Sequence, residues 1–189
     1  MIDRADLKNA VDTLRRGGVI LYPTDTVWGI GCDASDSAAV KRVFEIKRRA
    51  DSKAMIALVG SLAQLERTVY EVPDVAYQLM ECTDRPLTII YDRATGVAPE
   101  MVAEDGSLAV RLTTEEFSAA LCRSFGRAIV STSANVSGQP AAANFSGISP
   151  EILGAVDYVC ASGRESLAPA RPSAIMKISA GGLFKIIRK

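Results

Sequence analysis

The chain has 189 residues, 48% of them hydrophobic and 23% charged. These are the proportions of a soluble globular protein of one domain or at most two, with enough apolar material for a sizeable core. Lys and Arg number 22, and so do Asp and Glu, which removes any global electrostatic case for nucleic acid and leaves only a local basic patch open. There is no histidine, and the four cysteines (Cys32, Cys82, Cys122 and Cys160) form no C-x-x-C pair. Ser-His and Cys-His nucleophile pairs and the common zinc sites are therefore excluded, and scattered thiols fit a reducing cytosol. Charged residues in Met1 to Lys8 argue against a signal peptide, and no run of about 18 apolar residues predicts a membrane span. The expectation is a cytoplasmic protein with no membrane association.

In chain order, Leu7, Ala10, Val11 and Leu14 recur at helical spacing, with a stop at Gly17-Gly18. A strand over 18–22 follows. Ser35 or Ser37 is placed to cap a helix carrying Ala39, Val40, Val43, Phe44 and Ile46. Residues 54–59 read as a buried strand, and two helices follow near 61–69 and 73–83, the second opened by Pro73. Leu87 to Tyr91 is β-branched and strand-like. Residues 93–106 read as loop, 108–112 as strand, and 115–125 as a helix ended by Gly126. A strand over 127–132 leads to loop at 137–149, then late strands at 156–160, 174–178 and 183–187. Helix and strand alternate early and strands dominate late. That order predicts an α/β fold, a mixed twisted sheet flanked by helices, with no linker dividing it.

Two segments concentrate the polar chemistry. Val19-Ile20-Leu21 runs into Tyr22-Pro-Thr-Asp-Thr-Val-Trp-Gly-Ile-Gly31, and Ala128-Ile129-Val130 runs into Ser131-Thr-Ser-Ala-Asn-Val-Ser-Gly138. Each reads as a buried strand ending in hydroxyl, amide and glycine residues. Ligands of open α/β sheets bind beyond strand ends. Ser133 and Asn135, in extended geometry, would face one way and offer both donors and acceptors, or would simply form a local turn. Asp25 fits a turn or cap. Trp28 fits core or pocket wall.

The run from Lys41 to Lys53 has two readings. In one it is a solvated helix face with Lys41–Glu45 and Glu45–Arg49 pairs. In the other the helix ends near Ile46, so that Lys47 and Arg49 converge on a phosphate or carboxylate. No serine here has a histidine to activate it, and neither a G-x-S-x-G elbow nor a Walker or dinucleotide glycine motif occurs. Acid–base work would fall to carboxylates, Lys, Tyr, substrate or water.

At these residues the chain resembles the YrdC family of threonylcarbamoyl-AMP synthases. The likeness rests on Tyr22 to Gly31, Ile46-Lys-Arg-Arg49 with Lys53, Val110-Arg111, Ser131 to Gly138, Pro172-Ser-Ala-Ile175 and Ile187-Arg188. It spans about Leu7 to Arg188, and the expectation is a single YrdC-like domain without the extra C-terminal domain of longer relatives. The resemblance implies a concave cleft lined by cations. It also implies a reaction in which L-threonine, bicarbonate and ATP give L-threonylcarbamoyl-adenylate and pyrophosphate. A tRNA threonylcarbamoyl transferase complex would then use the adenylate to modify tRNA.

By residue-wise matching, the family's Lys-x-Arg and Ser-x-Asn signature falls on Lys47, Arg49, Ser133 and Asn135. Arg49, Lys53, Ser107, Asn135 and Arg188 would contact ATP. Thr26, Arg111, Ser133 and Ser173 would contact threonine, with Ser133 where the substrates meet. Lys47 and Arg49 would hold the triphosphate, and Arg111 the threonine carboxylate. Mg²⁺ would arrive with ATP, with no protein-bound metal cluster. Trp28, Ala54, Leu58, Ala174 and Lys177 depart from the family pattern, as does the missing proline after Arg111-Leu-Thr. Leu58 and Ala174 are expected to make the pocket more apolar. Two competing readings are a double-stranded RNA or tRNA-binding module without catalysis, and carbamoyl transfer as in the related domain of hydrogenase maturation factors.

Overall fold

The computed structural model describes residues 2–48, 55–166 and 172–188. Among these residues, nine strands form one mixed sheet in the order β7-β1-β2-β6-β3-β5-β4-β8-β9. They are β1 (Ile20–Tyr22), β2 (Gly29–Gly31), β3 (Ile56–Val59), β4 (Leu87–Tyr91), β5 (Leu108–Leu112), β6 (Ile129–Ser133), β7 (Tyr158–Val159), β8 (Ala174–Ile178) and β9 (Phe184–Arg188). Pairings β1/β7, β3/β5 and β4/β8 are parallel and the rest antiparallel. The helices are α1 (Arg4–Arg15), α2 (Ser37–Ile46), α3 (Leu62–Thr68), α4 (Asp74–Cys82), α5 (Glu116–Phe125) and α6 (Pro150–Ala155).

Local chemistry sets the element ends. Asp3 caps α1 by accepting from the amides of Ala5 and Asp6. Asp36, not Ser35 or Ser37, caps α2 through the amides of Ala38 and Ala39. A carboxylate on exposed amides gains from the helix dipole as well as the hydrogen bond, which a serine cannot match. Glu115 caps α5, and Gly126 closes it at φ 88°. The expected Lys41–Glu45 pair is replaced by Lys41–Glu100 at 3.1 Å.

Alternation along the strands divides the core in two. Ile20, Tyr22, Leu58 and Ile129 point to one face, where they pack with Leu14 of α1 and Leu121 of α5. Leu21, Ile30, Ala57 and Val130 point to the other face, under Val40, Val43 and Phe44 of α2.

β2 and α6 were not legible as separate elements. The Tyr22–Gly31 segment is a strand, a turn and a returning strand, with Tyr22 opposite Gly29 and Ile20 opposite Gly31. The glycines are there for the Tyr22 ring. A Cβ on Gly31 would stand 2.7 Å from Tyr22 Cε1 and 2.5 Å from the Val130 carbonyl oxygen. The buried Tyr22 hydroxyl donates to that carbonyl at 3.2 Å, and burial pushes its pKa well up.

Gly31→Ala is therefore expected to destabilise the fold by about 1–3 kcal/mol through overpacking. Gly154→Ala, in α6 with nothing within 4 Å of a new Cβ, is expected to be neutral or to stabilise by about 0.4–1 kcal/mol. Urea midpoints of the two variants check this, and equal midpoints would contradict the packing account.

Candidate active site

The α1 and α5 layer covers only part of its sheet face. Along β6, Ile129 lies beneath the helices, while Ser131 and Ser133, two and four residues on, reach an open cavity of about 250 Å³. This is below the roughly 300–1,000 Å³ of drug-sized ligand sites, so the size suits an amino acid better than a whole nucleotide. β6 contributes Ser131, Thr132 and Ser133, the β1–β2 turn Thr26 and Val27, and β2 Gly29. Met55 and Ile56 lie at the head of β3, Arg111 comes from β5, and Pro172-Ser173 and Arg188 close the side next to β8 and β9.

Arg111 is the buried charge of this cavity, 3% exposed. Its Nη2 lies 3.4 Å from Ser131 Oγ, and its Nε lies 3.1 Å from Asp25 Oδ1. Burial pushes the Asp25 carboxyl upward, against the pull of the Arg111 guanidinium. Around this pair stands a row of hydroxyls. Thr26 Oγ1 lies 3.0 Å from Thr24 Oγ1, which in turn donates to the Val27 carbonyl. Ser173 Oγ lies 2.8 Å from Thr88 Oγ1. Arg188 donates to the Ser173 carbonyl from Nε at 3.0 Å and Nη2 at 2.8 Å, tying β9 to the entry of β8.

The signature residues are placed less simply. The helix does end at Ile46, and Lys47 is its C-cap. Yet Lys47 is 2% exposed, and its ammonium donates to the carbonyls of Ser133 at 2.5 Å and Asn135 at 2.7 Å. In return its own carbonyl accepts from the Ser137 amide at 2.9 Å. Lys47 thus grips the backbone of the Ser133–Ser137 segment, and it does not line the cavity. Nor do Ser133 and Asn135 face one way. β6 ends at Ser133, and the Asn135 amide turns back onto the Ser133 carbonyl at 2.9 Å. Ser133 lines the cavity, whereas the Asn135 side chain donates to the carbonyls of Val136 and Gln139 and leaves its Oδ1 buried without a partner among the described residues.

Ser107 is absent from the cavity lining; its hydroxyl bonds Asp105, and Ser107 itself stands two residues before Ala109, which pairs with the cavity residue Ile56. Arg49, Lys53 and Ala54 lie outside the described residues. Leu58 and Ala174 do not make the pocket more apolar, because neither lines it. Leu58 belongs to the α1/α5 core, and Ala174 sits in β8 opposite Leu87. Lys177 pairs with Asp105 at 2.8 Å. Trp28 is core, its ring 4.9 Å from that of Phe145.

Two residues of the site were not assigned to it from the sequence: Ser131, read only as part of a polar strand exit, and Asp25, read as a turn or cap residue. Ser131 was legible in principle, since it shares a strand face with Ser133. Asp25 was not, because its partner Arg111 is far away along the chain.

The sequence profile of Sua5, YciO and YrdC, described as telomere recombination, matches residues 12–189. The chain belongs to the Sua5/YciO/YrdC family. Among relatives, the threonylcarbamoyl-AMP synthase of Xanthomonas euvesicatoria pv. vesicatoria is 38% identical over 98% of this chain and all of its own length. That of Stenotrophomonas maltophilia is 38% identical over 88% of this chain and 91% of its own. P. abyssi Sua5 complexed with L-threonine superposes with a TM-score of 0.84 at 27% identity over 94% of this chain, which spans 52% of that one. E. coli YciO, at 23% identity and a TM-score of 0.85 over 100% of this chain and 91% of its own, shares the fold.

The Lys47 clamp carries a prediction. Lys47→Met removes a charged donor from two buried carbonyls, each charge-assisted bond being worth about 1.5–3 kcal/mol. A loss of roughly 2–4 kcal/mol in urea unfolding is expected. Arg48→Ala breaks an ion pair with Glu151 in which both side chains are about half exposed or more, and should cost about 0–1 kcal/mol. A Lys47 variant as stable as the Arg48 variant would remove the clamp from the account.

Proposed function

We propose that this chain is an L-threonylcarbamoyladenylate synthase of the cytoplasm, and that the cavity is its L-threonine subsite. The observation that carries the reading is the pairing of one buried guanidinium, Arg111, with hydroxyls of Thr26, Ser131, Ser133 and Ser173 around a space of amino-acid size. Family membership and the names of the full-length relatives support it.

A bidentate contact from Arg111 would take the threonine carboxylate. That leaves the amine as the reacting group. The amine, once its ammonium form has given a proton to solvent, takes the carbon of bicarbonate: a C–N bond forms, water leaves, and a carbamate results. A carbamate oxygen then attacks the α-phosphorus of ATP, and the bond to the β-phosphate oxygen breaks to release pyrophosphate. No protein nucleophile is required; positioning and charge stabilisation carry the rate. Ser133 orients the carbamate at the cavity edge. Lys47 acts by fixing the Ser133 carbonyl. Arg49, Lys53 and Arg188 meet the phosphates, and Mg²⁺ enters with ATP as part of that substrate. The product passes to a tRNA threonylcarbamoyl transferase complex, and any contact with tRNA here is weak and salt-sensitive.

ATP-dependent pyrophosphate release is expected to need L-threonine and bicarbonate together. A site that hydrogen-bonds the threonine hydroxyl should reject valine strongly. Serine, short by one methyl, should be the worst competitor, because a methyl gives only about 1–3 kcal/mol of discrimination. Equal use of valine and threonine would contradict the pocket. No release, alongside tight salt-resistant duplex RNA binding, would replace this reading with that of an RNA-binding module.

A further inference from the structure

Asp25 belongs to the turn between β1 and β2, yet the turn is held by Thr24, whose hydroxyl bonds Thr26 and Val27. The Asp25 side chain is instead drawn inward, 10% exposed, to Arg111. Its carboxylate also accepts from its own backbone amide and from the hydroxyl of Thr113, the residue after β5, and the Glu115 carboxylate at the N-cap of α5 acts against its charge. Glu115 is itself engaged by the amides of Phe117 and Ser118, and among the described residues Arg111 is the cation that acts on Asp25.

The pair is close but not aligned. Asp25 Oδ1 and Arg111 Nε lie 3.1 Å apart, and both atoms are shut off from water with no hydrogen bond of good geometry among the described residues. Buried unsatisfied groups are rare in folded proteins, and each calls for a reason. A buried ion pair is a poor device for stability alone, since apolar residues of the same size often serve better. The turn already has the Thr24 bonds, and Arg111 borders the cavity. Polar contacts at catalytic sites are often loose without substrate and tighten when it binds.

We infer that Asp25 is a positioning residue: it anchors the Arg111 guanidinium from behind, so that the remaining donors face the carboxylate of the amino-acid substrate. The inference rests on the cavity being the L-threonine subsite. Asp25 touches no reacting atom. It acts through Arg111, by fixing the fork geometry on which bidentate recognition depends.

The test compares binding of L-threonine with that of L-threoninol, which lacks the carboxylate, by calorimetry on the full chain. The wild type should prefer threonine at least tenfold. In Asp25→Asn, threonine affinity should fall tenfold or more while threoninol affinity changes less than twofold, so the preference collapses. In turnover, KM for threonine should rise while KM for ATP stays within about twofold. A merely structural role would weaken both ligands alike, and an unchanged preference would overturn the inference. Should Asp25→Asn not fold, Asp25→Glu keeps the charge and shifts it by one methylene. It should lower the preference severalfold, and a wild-type preference there overturns the inference equally. If the wild type binds no threonine, the subsite reading falls and takes the positioning role with it. Wild-type binding with an indifferent Asp25 variant sinks the positioning role alone.

Discussion

The grip of the Lys47 ammonium on the carbonyls of Ser133 and Asn135 is the contact on which the site depends. It joins the C-terminal end of α2 to the exit of β6. Those elements belong to opposite jobs, since α2 covers the far face of the sheet and β6 carries the cavity serines. The Ser137 amide returns a bond to the Lys47 carbonyl, and the Ala134 amide bonds the Trp28 carbonyl at 2.9 Å. The β6 exit is thereby pinned from the helix and from the β1–β2 turn at once. A site built by strand ends and turns needs such pinning, because loops without it are the least precise part of a fold.

From that pinning the electrostatics follow. The cavity holds a guanidinium that is nearly withdrawn from water, against a carboxylate that burial pushes upward. Low dielectric strengthens what such a group can do to an anionic ligand and raises what it costs when left unsatisfied. The hydroxyls of Ser131 and Ser133 add donors and acceptors without adding charge. A histidine-free site of this kind suits a reaction whose nucleophile is made by the substrates themselves.

Much of the fold was legible. Helical spacing of Leu7, Ala10, Val11 and Leu14 gave α1, and the apolar runs gave β1, β3, β4, β5, β6 and β8 within a residue or two. What failed did so for physical reasons. Gly29-Ile-Gly31 looks like a polar strand exit because its glycines carry no apolar signal, yet they are glycine so that the Tyr22 ring can lie against them. α6 is a short helix opened by Pro150 and capped by Ser149, too short for a period to show. In the site, Thr26, Arg111, Ser133, Ser173 and Arg188 meet at one cavity. Asn135 does not, because strand alternation stops at Ser133. Lys47 was singled out as a cation for an outside anion, and the structure turns it onto two backbone carbonyls. Nothing in one sequence tells a lysine that meets a ligand from one that meets the chain.

The central claim is that the carboxylate of threonine is held by Arg111 while its amine, as the carbamate, is adenylated. Mass spectrometry of the adenylate formed from L-threonine, ATP and ¹³C-bicarbonate tests it most directly. The account predicts an adenylate that carries the label from bicarbonate and contains both threonine and AMP. An unlabelled threonyl-adenylate would show that the carboxylate itself is activated, and would contradict the assignment of Arg111 and the chemistry built on it.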